Sequence, residues 1–233
     1  MDIFLREKVM KNEPVEVFVK RIVMALTGVI LCGFSVGFYQ KVALGADPFT
    51  CLTTAFANLF HTTYGAIYPF VTGAFLIAVF FINRHYIGIA TIINLFGTGV
   101  AADFMYHMLD KVIPDPGMGL RAALMIFAVV LGSFAASLYF TADLGVSAYD
   151  AVALTAANKY RLAAFRVCRI STDVVCVVVG LIFHVTVGIG TVITALCMGP
   201  VIQWFNTHFS EPFLNAEKRE TEGSKTVRSG NRS

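Results

Sequence analysis

Long stretches of the chain carry no charge. Ile22–Tyr39, Ala66–Ile82, His85–Ala102 and Ala122–Ala142 contain no Asp, Glu, Lys or Arg, and Val174–Ser210 runs 37 residues without one. As helix, that last stretch would extend roughly 55 Å, nearly two crossings of a hydrocarbon core about 30 Å thick. Val185-Thr186-Val187-Gly188 is the predicted turn between them. The pattern predicts an all-α, polytopic membrane protein.

The apolar stretches repeat. Leu44-Gly45-Ala46-Asp47-Pro48-Phe49 stands one hundred positions before Leu144-Gly145-Val146-Ser147-Ala148-Tyr149. In the same ungapped register Leu31 meets Leu131, Phe34 meets Phe134, Tyr39 meets Tyr139, and Ala57-Asn58 meets Ala157-Asn158. Gly88-Ile89-Ala90-Thr91 meets Gly188-Ile189-Gly190-Thr191, and Gly33-x-x-x-Gly37 meets Ser133-x-x-x-Ser137, a small-residue spacing that permits close helix contact. The expectation is two tandem repeats, each of three long transmembrane helices plus one short helix. The long helices are predicted near 22–40, 66–83 and 88–109, then 122–142, 168–184 and 188–209. The short ones are predicted near 48–60 and 148–160.

Each short helix has a start signal. Asp47 supplies an N-cap oxygen before Pro48 at the first helical position, and Ser147-x-x-Asp150 places an acid in the first turn. Thirteen residues make about 20 Å of helix, too little to cross unaided, so a re-entrant or half-membrane element is expected. The chain then divides into a cytoplasmic N-terminal segment (1–21), membrane repeat 1 (22–110), membrane repeat 2 (111–210) and a disordered cytoplasmic tail (211–233).

The number of crossings decides how the copies are related. Three per copy turns the second upside down relative to the first, as in many transporters; four leaves them parallel. With six, the loop near His61, free of Lys and Arg, lies outside, and the basic stretch Lys159–Arg169 lies inside. Lys111 and Arg121 then fall outside, against the rule; eight crossings put them inside but expose Arg84. Six is favoured, and both counts leave both termini in the cytoplasm.

Composition agrees with a membrane. Hydrophobic residues make up 57% and charged residues 14%, with mean hydropathy +0.71, where soluble domains carry roughly 25% charge. A net charge of +3 without a basic, aromatic-interleaved stripe excludes nucleic acid as a partner. Met1–Arg21 mixes acids with bases and no A-x-A site follows the first apolar run, so no cleaved signal is expected. Five scattered cysteines show no metal-ligand spacing, and no catalytic motif is present. No cofactor, structural metal or enzymatic activity is expected.

The candidate binding residues are polar groups in apolar surroundings: Asp47, Asn58, Thr91, Asn94, Asp150, Asn158 and Asp173. Matching broken helices mark a site between repeats, where helix N-termini can face an anionic group. Thr91, Asn94 and Thr98 share a helix face that serves either as interhelical glue or as a polar cavity wall. Asp173 is either a substrate or proton site or one half of an interfacial pair with Arg169, four residues earlier. Asp103 and His107 are expected to contact each other at the interface.

The repeated Leu-Gly-x-x-x-aromatic break and the later Gly-Ile-x-Thr-x-Ile helix resemble the YitT/YczE-type family of bacterial inner-membrane proteins. Gly145-Val146-Ser147-Ala148-Tyr149-Asp150 fits that pattern; Phe49-Thr50 in the first copy lacks the acid. The resemblance covers roughly residues 20–210 and implies a small multi-spanning protein of the bacterial cytoplasmic membrane, closer to the YczE type. The functional expectation is a secondary transporter or permease for a small molecule, its site between the repeats. The alternative is a non-transporting accessory protein that assists a biosynthetic or export assembly. Partners are the lipid bilayer, a small-molecule substrate, and further copies of the chain or another membrane protein.

In a cysteine-free background, single cysteines at positions 62 and 162 are expected to react with an impermeant maleimide from opposite sides. Labelling of both from the cytoplasm would establish parallel copies.

Overall fold

The computed structural model describes residues 15–82, 87–158, 160, 165–185 and 188–215, without the side chains of 153, 154, 157, 158, 165 and 166. The expected turn residues Thr186 and Val187, Leu162, and the tail beyond residue 215 lie outside it. Eight helices follow in order: α1 Val15–Val42, α2 Pro48–Leu59, α3 Tyr64–Ile82, α4 Ile89–Val112, α5 Met118–Ala142, α6 Ala148–Asn158, α7 Phe165–Ile182 and α8 Ile189–Phe205. No strand occurs among the described residues.

Among the described residues five stretches are long and apolar enough to cross a membrane: α1, α3, α4, α5 and the continuous Ile189–Asn215. In α7 the 18 residues would suffice by length, but they include Arg166, Arg169 and Asp173. The last stretch passes from α8 through a π-turn, Asn206–Ser210, and remains helical to Asn215. It therefore runs five residues into the segment expected to be disordered. Packing explains this: Leu214 is buried in one cluster with Val17, and Lys20 Nζ sits 3.9 Å above the Phe213 ring. The same contacts start α1 earlier than predicted and bring the two described ends of the chain together.

Small residues set the helix directions. On α1, Gly28 lies against Ala135 and Tyr139 of α5, while Gly132 of α5 lies against Ser35. Two buried hydrogen bonds join the same helices, Arg21 Nη1 to Ala142 O (2.9 Å) and Ser35 Oγ to Ala128 O (2.8 Å). Rising numbers on α1 meet falling numbers on α5, so the two run antiparallel. Against α4 the order is the opposite: Gly33 meets Thr98 and Ala101, and Gly37 meets Ala102 and Met105, so α1 and α4 are parallel. α3 opposes both, with Tyr68 bonded to Asn94 and Gly65 to Asp103. α2 packs on α7 and α6 on α3.

Between α1 and α2, and again between α5 and α6, the helix breaks in the same way. Ala43 and Asp143 have φ of 53° and 51°, and Gly45 and Gly145 have φ of 111° and 124°. Each break docks on the helix start of the other half. Gly190 N donates to Leu44 O (3.0 Å) and Ala90 N to Leu144 O (3.1 Å). Thr91 Oγ1 accepts from Gly88 N (3.1 Å) and donates to Val146 O (2.8 Å). Away from water each unmet backbone group costs several kcal/mol, and these crossed bonds meet that need. A Cβ on Gly45 would stand 2.7 Å from Thr191 Oγ1, and one on Gly145 would stand 2.7 Å from Gly88 N.

Gly45→Ala and Gly145→Ala are each expected to destabilise the protein by about 1–3 kcal/mol, through strain at positive φ and the clash. Gly73→Ala, with nothing within 4 Å of its Cβ, is expected to leave the midpoint of thermal unfolding in detergent unchanged.

Candidate functional site

The N-termini of the two short helices meet where the halves join. Phe49 and Tyr149 lie with ring centroids 5.1 Å apart, and Phe49 also packs on Tyr68 and Phe75 at 6.1 and 5.7 Å. On one side of this aromatic plug is a cavity, and on the other a charged cluster.

The cavity measures about 410 Å³ and is framed by the end of α1, the first break, α2, the start of α3 and the end of α4. Thr50, Thr54 and Asn58, spaced four apart, put one polar face of α2 along it. Tyr39, Gln40, Tyr64, Tyr106, Asp103 and His107 complete the polar lining, with His184 at the rim and, among the described residues, no Lys or Arg. It reaches the surface beside exposed Asn58, Thr62 and Thr63, at the end of the bundle away from the described chain ends. Among the described residues, α6 contributes nothing to the wall. Asp103 and His107 do not pair through their side chains. The Asp103 carboxylate accepts from Gly65 N at the start of α3 (2.9 Å), and His107 Nδ1 lies 2.7 Å from the Asp103 backbone oxygen.

The charged cluster belongs to α6 and α7. Arg169 Nη1 donates to Asp150 Oδ1, and its Nε lies 3.6 Å from Asp173 Oδ1. Its guanidinium also stands 4.6 Å from the centre of the Tyr149 ring, and the Tyr149 hydroxyl donates to Asp173. Ser147 Oγ donates to Asp150 Oδ2 (2.8 Å) and Tyr139 OH does so at 3.3 Å. Asp150 keeps 8% of its side-chain surface exposed, Asp173 13% and Arg169 33%. Asp173 thus sits in the middle of α7, and the principal partner of Arg169 is Asp150 rather than its helix neighbour.

Six of the seven residues singled out from sequence fall into three groups. Asn58 lines the cavity, and Asp47, outside the lining, caps α2, accepting from Thr50 N (3.2 Å). Thr91 and Asn94 are buried and hold the protein together, Thr91 at the second break and Asn94 through Tyr68 Oη (2.7 Å). Asp150 and Asp173 form the ion cluster. The Asn158 backbone ends α6, and its side chain lies outside the described residues. Both helix N-termini are already occupied by the protein's own groups, since Asp150 N donates to Ser147 Oγ (3.1 Å) much as Thr50 N does to Asp47. Thr50 and Thr54 were legible in the four-residue spacing with Asn58, and Tyr139 and Tyr149 stood in the repeat register without being read as site residues; the Arg169–Asp150 pair had no sequence signal.

A family model described as a family of unknown function, DUF6198, matches residues 19–207. The chain belongs to that family. Both the cavity and the cluster fall inside the span that defines DUF6198. The chain is also similar to an uncharacterized protein of Haemophilus influenzae, 24% identical over 186 residues, covering 80% of this chain and 83% of that protein. No solved structure matches it.

Arg169→Ala is expected to destabilise this DUF6198 protein by about 2 kcal/mol or more, because it strands two carboxylates. That is below the roughly 3–5 kcal/mol of a fully buried pair, since Arg169 is one-third exposed. Adding Asp150→Asn should recover part of the loss. Asp115→Ala, at an exposed position between α4 and α5, should leave the unfolding midpoint within error.

Proposed function

We propose that this DUF6198 protein is a secondary transporter of a small polar molecule, built as two inverted copies of one unit, with its substrate held along α2. The observation that carries the reading is the cavity of about 410 Å³ walled by Thr50, Thr54 and Asn58. Its size lies in the range of roughly 300–1,000 Å³ typical of small-molecule sites. A short helix beside such a cavity, at the junction of two related halves, is the arrangement on which alternating access depends.

The inversion is supported by the directions of the helices. α1 and α5, one hundred residues apart, are antiparallel, which requires an odd number of crossings in the first copy, α1 included. α1, α3 and α4 provide three, with α2 re-entrant, and α7 then serves as the sixth crossing despite its charges. The chain ends fall on one side, the cytoplasmic one by the positive-inside rule, in a bacterial cytoplasmic membrane; the cavity opens to the other face. Affinity with the YitT/YczE-type proteins belongs to the same reading. With Asp103 and three tyrosines but no Lys or Arg in the lining, the site suits a neutral or cationic solute.

Proteoliposomes loaded with the full chain should take up one or more members of a panel of small neutral and cationic solutes. Thr54→Trp, which fills the cavity, should abolish that uptake without lowering the unfolding midpoint. Uptake that survives Thr54→Trp would move the site elsewhere, and neither uptake nor binding across the panel would leave the accessory role in its place.

A further inference from the structure

The ion cluster has more acid than base. Asp150 and Asp173 share Arg169, which is, among the described residues, the one basic side chain in contact with either. With both carboxylates ionised the cluster would carry a net negative charge on side chains that keep only 8% and 13% of their surface exposed, where an uncompensated charge is costly. Two carboxylates on one guanidinium relieve that cost when one of them holds a proton.

The donors around each carboxylate select which one. Asp150 accepts from Arg169 Nη1, Ser147 Oγ and Tyr139 OH, a set that stabilises an anion. Asp173 has the Tyr149 hydroxyl and only the more distant Nε of a guanidinium already engaged. The other groups facing it are acidic or neutral: Cys176 on its own helix, and Asp47 from the first break. A scaffold has no need of this arrangement. One hundred residues earlier Thr50, Pro69 and Gly73 stand in place of Asp150, Arg169 and Asp173, and the first half folds without charges there.

We propose that Asp173 is a proton-binding site, neutral at neutral pH while Arg169 and Asp150 remain paired, and that this proton is the coupling ion of the transporter. The Asp173 carboxylate takes one proton from water on one face of the membrane and returns it to water on the other. Arg169 stays protonated throughout, so the cluster alternates between zero and one negative charge, and closes when discharged. The coupling role rests on the transport reading; the protonation does not.

Infrared spectroscopy of the full chain in lipid tests this with the proton itself as probe. A protonated-carboxyl band should be present at neutral pH, shift in heavy water and vanish at alkaline pH. Asp173→Asn should remove it and Asp110→Asn should leave it unchanged. Tyr149→Phe, which deletes the hydroxyl on Asp173 and keeps the ring, should shift its frequency, so the assignment survives if Asp173→Asn fails to fold. No such band at neutral pH, or a band lost in Asp150→Asn but retained in Asp173→Asn, would overturn the proposal. A band that behaves as described in a protein that moves no solute would overturn the transport reading and leave the proton site standing. Where uptake is found, an imposed inward proton gradient should accelerate it; uptake indifferent to the gradient would overturn the coupling.

Discussion

The structure depends on satisfying backbone groups where helices break and no water is at hand. A continuous helix bonds its own amides and carbonyls, but α1 and α5 each stop at a Leu-Gly step that turns into a short helix. The carbonyls of Leu44 and Leu144 are bonded by amides at the starts of α8 and α4. Apolar packing alone would not hold a break there, because lipid tails solvate apolar side chains as well as neighbouring helices do. Two crossed hydrogen bonds and a threonine hydroxyl make interruption of the helices tolerable, and every polar feature near the centre of the bundle follows from it.

The broken helices create room for polar groups, and the halves use it differently. In the first, α2 turns its hydroxyls and amide toward a cavity that reaches the surface. In the second, the corresponding region is closed by a guanidinium spanning two carboxylates. The Phe49–Tyr149 contact lies where the two halves meet. One half thus presents space and the other a charge network, although their backbones break at matching positions with matching dihedral angles.

Much of this was legible in the sequence because a membrane leaves few options. Uncharged runs mark the long helices, and Asp47-Pro48 and Ser147-x-x-Asp150 mark the short ones. The hundred-residue offset anticipated the recurring break. What the sequence could not show is set by contacts distant along the chain. Arg169 prefers Asp150, nineteen residues away, to Asp173 on its own face, since α6 and α7 fold against each other. Asp103 turned from His107 and accepts instead from the amide of Gly65, whose missing side chain lets the two approach. The early start of α1 and the extension past Ser210 both come from Val17 and Leu214 sharing one cluster.

The crossed bonds also bear on how the protein is made. Leu44 finds its donor at Gly190, in α8, and Leu144 finds its own at Ala90. The first break is threaded into the bilayer with its carbonyl unmet and stays so until α8 has been inserted. The amino-terminal half is therefore not an independent folding unit, and assembly ends with a late long-range closure rather than helix by helix. A nascent chain of this design has a waiting period in which its break is open to the translocon, to lipid headgroups or to a chaperone.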